Sequence, residues 1–205
     1  MGDSGPIVSS QHLVSPKSPQ VSEFEFGLII AWHAFARWMM RCMTAAGVKD
    51  MTPIDVLVLH HVAHRDTEKR LADIGFVLNV EDTHVVSYSL RKLAGLGLVQ
   101  STKRGKEAFY SVTDQGRDIC LAYRDVREAC LMPGFSGSAE ENRRIAELMF
   151  LVTVGCSFIP LKGGIFYGLK ICRLLAKGQH CYKIFKVSYH AAISMAFTCD
   201  QTIGR

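Results

Sequence analysis

The sequence has no Cys-x-x-C pair and no glycine-rich phosphate loop. It also has no apolar run approaching the roughly 20 residues that a membrane-spanning helix requires. These absences exclude a zinc ribbon, a dithiol redox motif and a P-loop nucleotide site. The seven cysteines are odd in number and scattered from Cys42 to Cys199. No disulfide framework follows from that spacing, so a reducing compartment with ordinary buried thiols is expected. The first 20 residues lack the apolar core of a secretory signal, and the expected location is cytoplasmic. Gly (17) and Pro (6) stand near average usage, which excludes collagen-like and low-complexity chains. What is present is 48% hydrophobic content with 21% charged residues over 205 positions. That suits one domain of ordinary size, or a small domain with an appendage, and not a disordered chain.

The net charge of +5 is unevenly placed. Residues 1–147 hold 17 Lys and Arg against 18 Asp and Glu, a net of −1. Residues 148–205 hold seven basic residues and one acid, Asp200, a net of +6. The basicity belongs to the C-terminal segment, so the whole-chain value says nothing about nucleic-acid binding by the first part.

Three zones follow from the pattern. Residues 1–21, rich in Ser and Pro, read as a flexible leader. Its Gly2-Asp3-Ser4-Gly5-Pro6 is similar to the nucleophile segment of trypsin-like proteases. No His or Asp precedes it to complete a triad, and that reading is rejected.

Residues 22–135 read as one compact unit. Ser22 and Glu25 form a capping box for a long helix whose stripe is Phe24, Leu28, Ala31, Trp32, Phe35, Trp38, Met39, Cys42 and Met43. Thr52-Pro53-Ile54-Asp55 opens a second helix, with Val56, Leu57, Leu59 and Val62 inward. A short helix spans about Lys69 to Leu78, and Asn79 to Glu81 make a turn. The next helix, about Asp82 to Leu96, buries Val86, Leu90 and Leu93. It turns Thr83, His84, Ser87, Tyr88 and Arg91 outward. Two strands follow, 98–102 and 108–112, around the turn Lys103-Arg104-Gly105-Lys106. Thr113 caps a last helix from Asp114 to about Leu131.

This order predicts a mainly α fold with a small β-hairpin wing, a winged helix-turn-helix. Three segments carry a closer likeness: Leu71-Ala72-Asp73-Ile74-Gly75, Leu90-Arg91-Lys92-Leu93-Ala94-Gly95-Leu96-Gly97-Leu98-Val99, and Val112-Thr113-Asp114-Gln115-Gly116-Arg117. Their order and spacing resemble the MarR (multiple-antibiotic-resistance regulator) family of transcription factors over roughly residues 22–150.

The resemblance implies a homodimer binding a palindromic operator in double-stranded DNA. Recognition helices would enter successive major grooves about one helical turn (~34 Å) apart. Carried over by position, the recognition-helix contacts are Thr83, His84, Val85, Ser87, Tyr88 and Arg91, with Lys92 at a phosphate. The wing contacts are Lys103, Arg104 and Lys106. Hydroxyl, imidazole and guanidinium groups suit base edges and phosphates. Trp32, Phe35 and Trp38 form a candidate pocket for a small aromatic effector. Core or dimer packing is the preferred reading of these aromatics. The family's wing often carries Asp-x-Arg where this chain has Arg104-Gly105-Lys106, and Glu81 and Asp82 stand at the recognition helix start. These departures support the alternative of a protein-interaction module without specific DNA binding. No enzyme signature, cofactor or metal site is expected. His60 and His64 share a helix face, but no Glu completes H-E-x-x-H, and the helix dipole already favours histidines at that end.

The third zone begins with the capping box Ser138-Ala139-Glu140-Glu141, which opens a helix, and the resemblance implies that 136–149 starts a dimerisation helix. Beyond Met149, acids nearly vanish and four of the seven cysteines appear. Residues 150–205 read as an atypical basic, Cys-rich tail, frameshifted or disordered. The readings are a membrane-surface appendage, a regulatory or oligomerisation tail, and a non-native frame starting near residue 149. The break in mid-helix favours the last, and membrane contact by the tail is not expected.

Overall fold

The computed structural model describes residues 10–134 and 137–158. Helix α1 spans Pro19–Ala45, α2 Pro53–Ala63, α3 Leu71–Val77, α4 Thr83–Gly95, α5 Asp114–Cys130 and α6 Ala139–Phe158. Strands β1 (Lys69–Arg70), β2 (Val99–Arg104) and β3 (Glu107–Val112) form one antiparallel sheet in the order β1-β3-β2. The mainly α winged helix-turn-helix expected from the sequence is the observed fold. The described residues up to Pro133 make one compact unit and α6 lies in a second.

The core of the first unit joins α1, α2, α3, α4, α5 and the base of the wing. Met43, Val56, Val58, Leu59, Ile74, Val86 and Leu93 are fully buried, and Leu90, Leu98 and Val99 nearly so. Removing that much apolar surface from water, at about 25 cal/mol per Å², is what holds six short elements together. Val86, Leu90 and Leu93 are inward as their spacing predicts. In α2, Val56, Leu59 and Val62 are buried as expected, but Val58 is buried too and Leu57 only partly covered, because α2 is packed on several sides rather than along one stripe.

Local chemistry explains the boundaries. Asp55 Oδ2 accepts from the Thr52 amide (2.8 Å) and Thr52 Oγ1 accepts from the Asp55 amide (3.3 Å), so the expected start of α2 is a complete capping box. Asp82 caps α4 by accepting from the His84 amide (2.8 Å). At α6, Glu141 Oε2 accepts from the Ser138 amide (2.7 Å) while the Glu141 amide donates to Ser138 Oγ (3.3 Å). Those bonds hold the Glu141 carboxyl below its ordinary pKa.

The Thr113–Arg117 segment ties the wing to α5. Thr113 Oγ1 donates to the Gly97 carbonyl (2.6 Å) and accepts from the Gly116 amide (3.0 Å), and the Thr113 amide donates to the Leu98 carbonyl (3.1 Å). The helix thus starts directly against the strand entry. A Cβ on Gly116 would sit 2.1 Å from the Leu98 carbonyl oxygen, so only glycine fits.

Several expectations are corrected. Helix α1 begins at Pro19, not Ser22. Ser22 is buried, and its hydroxyl accepts the Ser15 amide (2.9 Å) instead of capping the helix. Pro19 at the first helical position explains the earlier start. The leader therefore ends inside a helix, and its protease-like segment lies outside the described residues. Phe24, Trp32 and Phe35 are exposed, so the stripe of α1 is core only from Ala36 onward. The wing has three strands. Lys69 and Arg70, expected at the start of a helix, pair with Tyr110 and Phe109. Helix α6 continues past Met149 to Phe158, so the change of composition does not end the helix. The remainder of the tail, 159–205, lies outside the described residues.

Candidate nucleic-acid interface

Helix α3, the turn at Leu78–Asp82 and α4 form the helix-turn-helix. Asn79 takes a positive φ of 54° in that turn, a conformation its short amide side chain tolerates. Helix α4 is the amphipathic element that presents the candidate contacts. With Val86, Ser89, Leu90 and Leu93 buried, 100° per residue places His84, Tyr88 and Arg91 along the centre of the opposite face. Thr83, His84, Val85, Tyr88 and Arg91 are exposed and Ser87 is half-buried. The Arg91 guanidinium lies 5.9 Å from the Tyr88 ring centroid, and its Nε donates to the Ser87 carbonyl (3.4 Å).

Lys92 has a different position from the one expected for a phosphate contact. Its ammonium donates to Asp55 Oδ2 (2.7 Å) and to the Asp50 carbonyl. Asp55 is 1% exposed. Burial favours its neutral form, but the bonds from the Lys92 ammonium and the Thr52 amide outweigh it and hold its carboxyl below the ordinary value. Position 92 lies on the flank of α4 facing α2, which no reading of the outward stripe separates from a free cation.

The wing projects beyond the core. Residues 100–104 of β2 are exposed throughout. The register pairs Arg104 with Glu107, leaving Gly105 and Lys106 as a two-residue loop. Gly105 has φ +62°, the positive value such a tight hairpin demands at its first position. Lys103 and Lys106 are exposed at the tip with no acidic partner among the described residues. Arg104 is held: its Nη2 lies 2.8 Å from Glu68 Oε2, and its guanidinium stands 5.1 Å from the Phe109 ring. Arg70 is similarly engaged, by Asp73 at 2.9 Å and Glu107 at 3.7 Å, and Arg117 pairs with Asp66. Sequence reasoning missed the Glu68–Arg104 pairing because its partners are 36 residues apart.

The aromatic group divides between surface and core. Trp32 and Phe35 are exposed, whereas Trp38 packs on Tyr123 of α5, edge to face at 5.8 Å, and stacks with Phe35 at 5.6 Å. Behind it, His60 meets Tyr123 at 4.5 Å, and its Nε2 is buried without a hydrogen-bond partner. Burial alone lowers the His60 pKa and is the leading cause of the lowering at His61. Burial also pushes the Cys120 thiol up to about 11, so it is not a reactive thiolate. Among the described residues no group of three His, Cys, Asp or Glu is placed to hold a metal ion. No helix among them is long and apolar enough to cross a membrane.

Comparison with known proteins matches this geometry. A winged helix DNA-binding domain family model covers residues 51–116, from the cap of α2 to the close approach at Gly116. No curated protein sequence matches the chain. Among solved structures, a MarR-family transcriptional regulator from Rhodococcus sp. RHA1 superimposes with a TM-score of 0.55 at 12% identity. The alignment covers 65% of this chain and 94% of that one. Sco5413, a MarR family transcriptional regulator from Streptomyces coelicolor, gives 0.55 at 17% identity over 68% of this chain and 96% of its own. AbfR of Staphylococcus epidermidis gives 0.54 at 17% over 65% and 90%. Residues 51–116 thus match a winged helix DNA-binding domain family, in a chain that has the fold seen in solved MarR-family transcriptional regulators.

Proposed function

We propose that this chain is a MarR-like transcriptional regulator that binds a palindromic operator as a homodimer. Recognition helix α4 reads the major groove and the wing meets the adjoining backbone or minor groove. The observation that carries this reading is the solvent face of α4. Its exposed Thr83, His84, Val85, Tyr88 and Arg91, with half-buried Ser87, form a continuous set of donors, acceptors and apolar groups on a rigid helix. At the wing, Lys103 and Lys106 supply the free cations and Arg104 is a held reserve. Lys92 positions α4. The exposed apolar residues of α1 (Phe24, Ile29, Ile30, Trp32 and Phe35) and of α6 (Ile145, Leu148 and Met149) are the surfaces assigned to the second subunit. A small aromatic effector beside Trp32, Phe35 and Trp38 belongs to the same reading, as do a cytoplasmic location and a regulatory rather than enzymatic role.

The test is affinity for the DNA upstream of the protein's own gene against scrambled DNA of equal length, measured across salt concentration. Tighter binding to the upstream DNA with a steep salt slope supports the regulator. Equal binding to both sinks it.

One observation favours a second reading, a winged-helix module that binds protein. Arg70, Arg104 and Arg117 are all neutralised by neighbouring carboxylates, and Glu81 is exposed beside the start of α4. Lys103→Ala with Lys106→Ala separates the two. Under the regulator reading the salt slope drops by about two, one per lost phosphate contact. Under the other, DNA binding is weak to begin with and unchanged.

A further inference from the structure

Tyr88 is 66% exposed, on a helix whose outer face is otherwise mostly polar. Nothing in the packing of the domain accounts for it: Val86, Ser89, Leu90 and Leu93 already fill the inner face. The ring meets the guanidinium of Arg91 at 5.9 Å. That guanidinium is anchored from its Nε side by the Ser87 carbonyl at 3.4 Å. Its two terminal amino groups carry no bond among the described residues, and these are the groups that form a planar fork.

The major groove offers one apolar feature, the C5-methyl group of thymine, and one site that accepts a guanidinium fork, guanine O6 with N7. Side chains three apart on a helix stand about 5–6 Å from one another. Successive base pairs are about 3.4 Å apart along the axis. Tyr88 and Arg91 therefore span one to two base pairs. Resting on the assignment of α4 as a recognition helix, we propose that Tyr88 and Arg91 act as one reading unit. It is specific for a thymine methyl within one or two base pairs of a guanine, the tyrosine ring covering the methyl group and holding the arginine in line with the guanine. Tyr88 is thus both a base contact and a positioning residue for Arg91.

The experiment selects duplexes from a randomised pool with the full chain, then measures affinity for the selected duplex with single-base analogues. Uracil in place of thymine removes only the methyl group, and 7-deazaguanine removes only N7. One thymine and one guanine, one or two base pairs apart, are expected to carry the response. Loss of the guanine acceptor should weaken binding about tenfold, and loss of the methyl group by less. Tyr88→Ala should abolish the uracil effect and shrink the 7-deazaguanine effect, whereas Tyr88→Phe should retain both. Arg91→Ala, which leaves no donor for guanine O6 or N7, should erase the guanine preference and leave the uracil effect in place.

A selected duplex indifferent to uracil at every thymine overturns the proposal while leaving the regulator reading intact. So does a Tyr88→Ala variant with the wild-type analogue profile. Failure of the full chain to enrich any sequence overturns both.

Discussion

The ammonium of Lys92 on α4 lies 2.7 Å from the carboxylate of Asp55 on α2, with the acid buried and the base about three-quarters covered. The same carboxylate closes the capping box of α2. One side chain therefore fixes both the start of α2 and the rotation of α4 against it. A buried pair broken on one side typically costs about 3–5 kcal/mol. Here Lys92 retains some water, and Asp55→Ala is expected to cost roughly 2–4 kcal/mol, cap included. A double-mutant cycle with Lys92→Met, read by denaturant unfolding, should return a coupling of about 1 kcal/mol or more. Additive effects would show that the pair does not lock the helices.

Gly116→Ala should destabilise the fold by about 1–3 kcal/mol or more, since backbone at the Leu98 carbonyl cannot yield as a flexible side chain does. Thermal unfolding reads it. An unchanged Tm would mean the start of α5 can move away from the strand at no cost.

The Glu68–Arg104 pair joins two exposed groups, so Glu68→Gln should alter stability by no more than about 1 kcal/mol. Its effect belongs to DNA affinity. Freed from the carboxylate, Arg104 becomes available to a phosphate. Affinity for any duplex should rise, and the salt slope should steepen by about one. A variant that binds DNA as the parent does would show that Arg104 points away from the DNA regardless of Glu68.

His60 sets a pH dependence. Its folded pKa lies below the ordinary value of about 6.5, so the unfolded chain binds more protons as pH falls. Stability is then full above about pH 6.5 and declines below it, towards the folded pKa. His61 contributes with the same sign. His60→Leu should flatten the loss of Tm between pH 7.5 and 5, leaving the smaller share of His61. An equally steep loss in that variant would place the titrating group elsewhere.

Much of this molecule was legible beforehand. Thr52, Thr113 and Ser138 marked helix starts because an N-cap is a local bargain between a side chain and amides two or three residues away. Val86, Leu90 and Leu93 declared the inner face of α4, and so its outer one. Ser22 misled because a serine before an apolar stripe also suits burial, and its partner, the amide of Ser15, lies outside any capping pattern. Strand β1 was invisible because two residues carry no periodicity; their strand exists only through Phe109 and Tyr110.

The sequence by itself determined the order of the helices and the hairpin, the caps of α2, α5 and α6 and which residues of α4 face away from the core, all of which follow from interactions within a few residues. Tertiary structure alone decided that Lys92 is paired with buried Asp55, that Arg104 is held by Glu68, and that Trp38 is packed on Tyr123 while Trp32 is exposed. Those partners are separated by 37, 36 and 85 positions. The charge or ring that each residue carries is written in the chain, but whether it is spent inside the fold depends on which distant side chain the packing brings within reach.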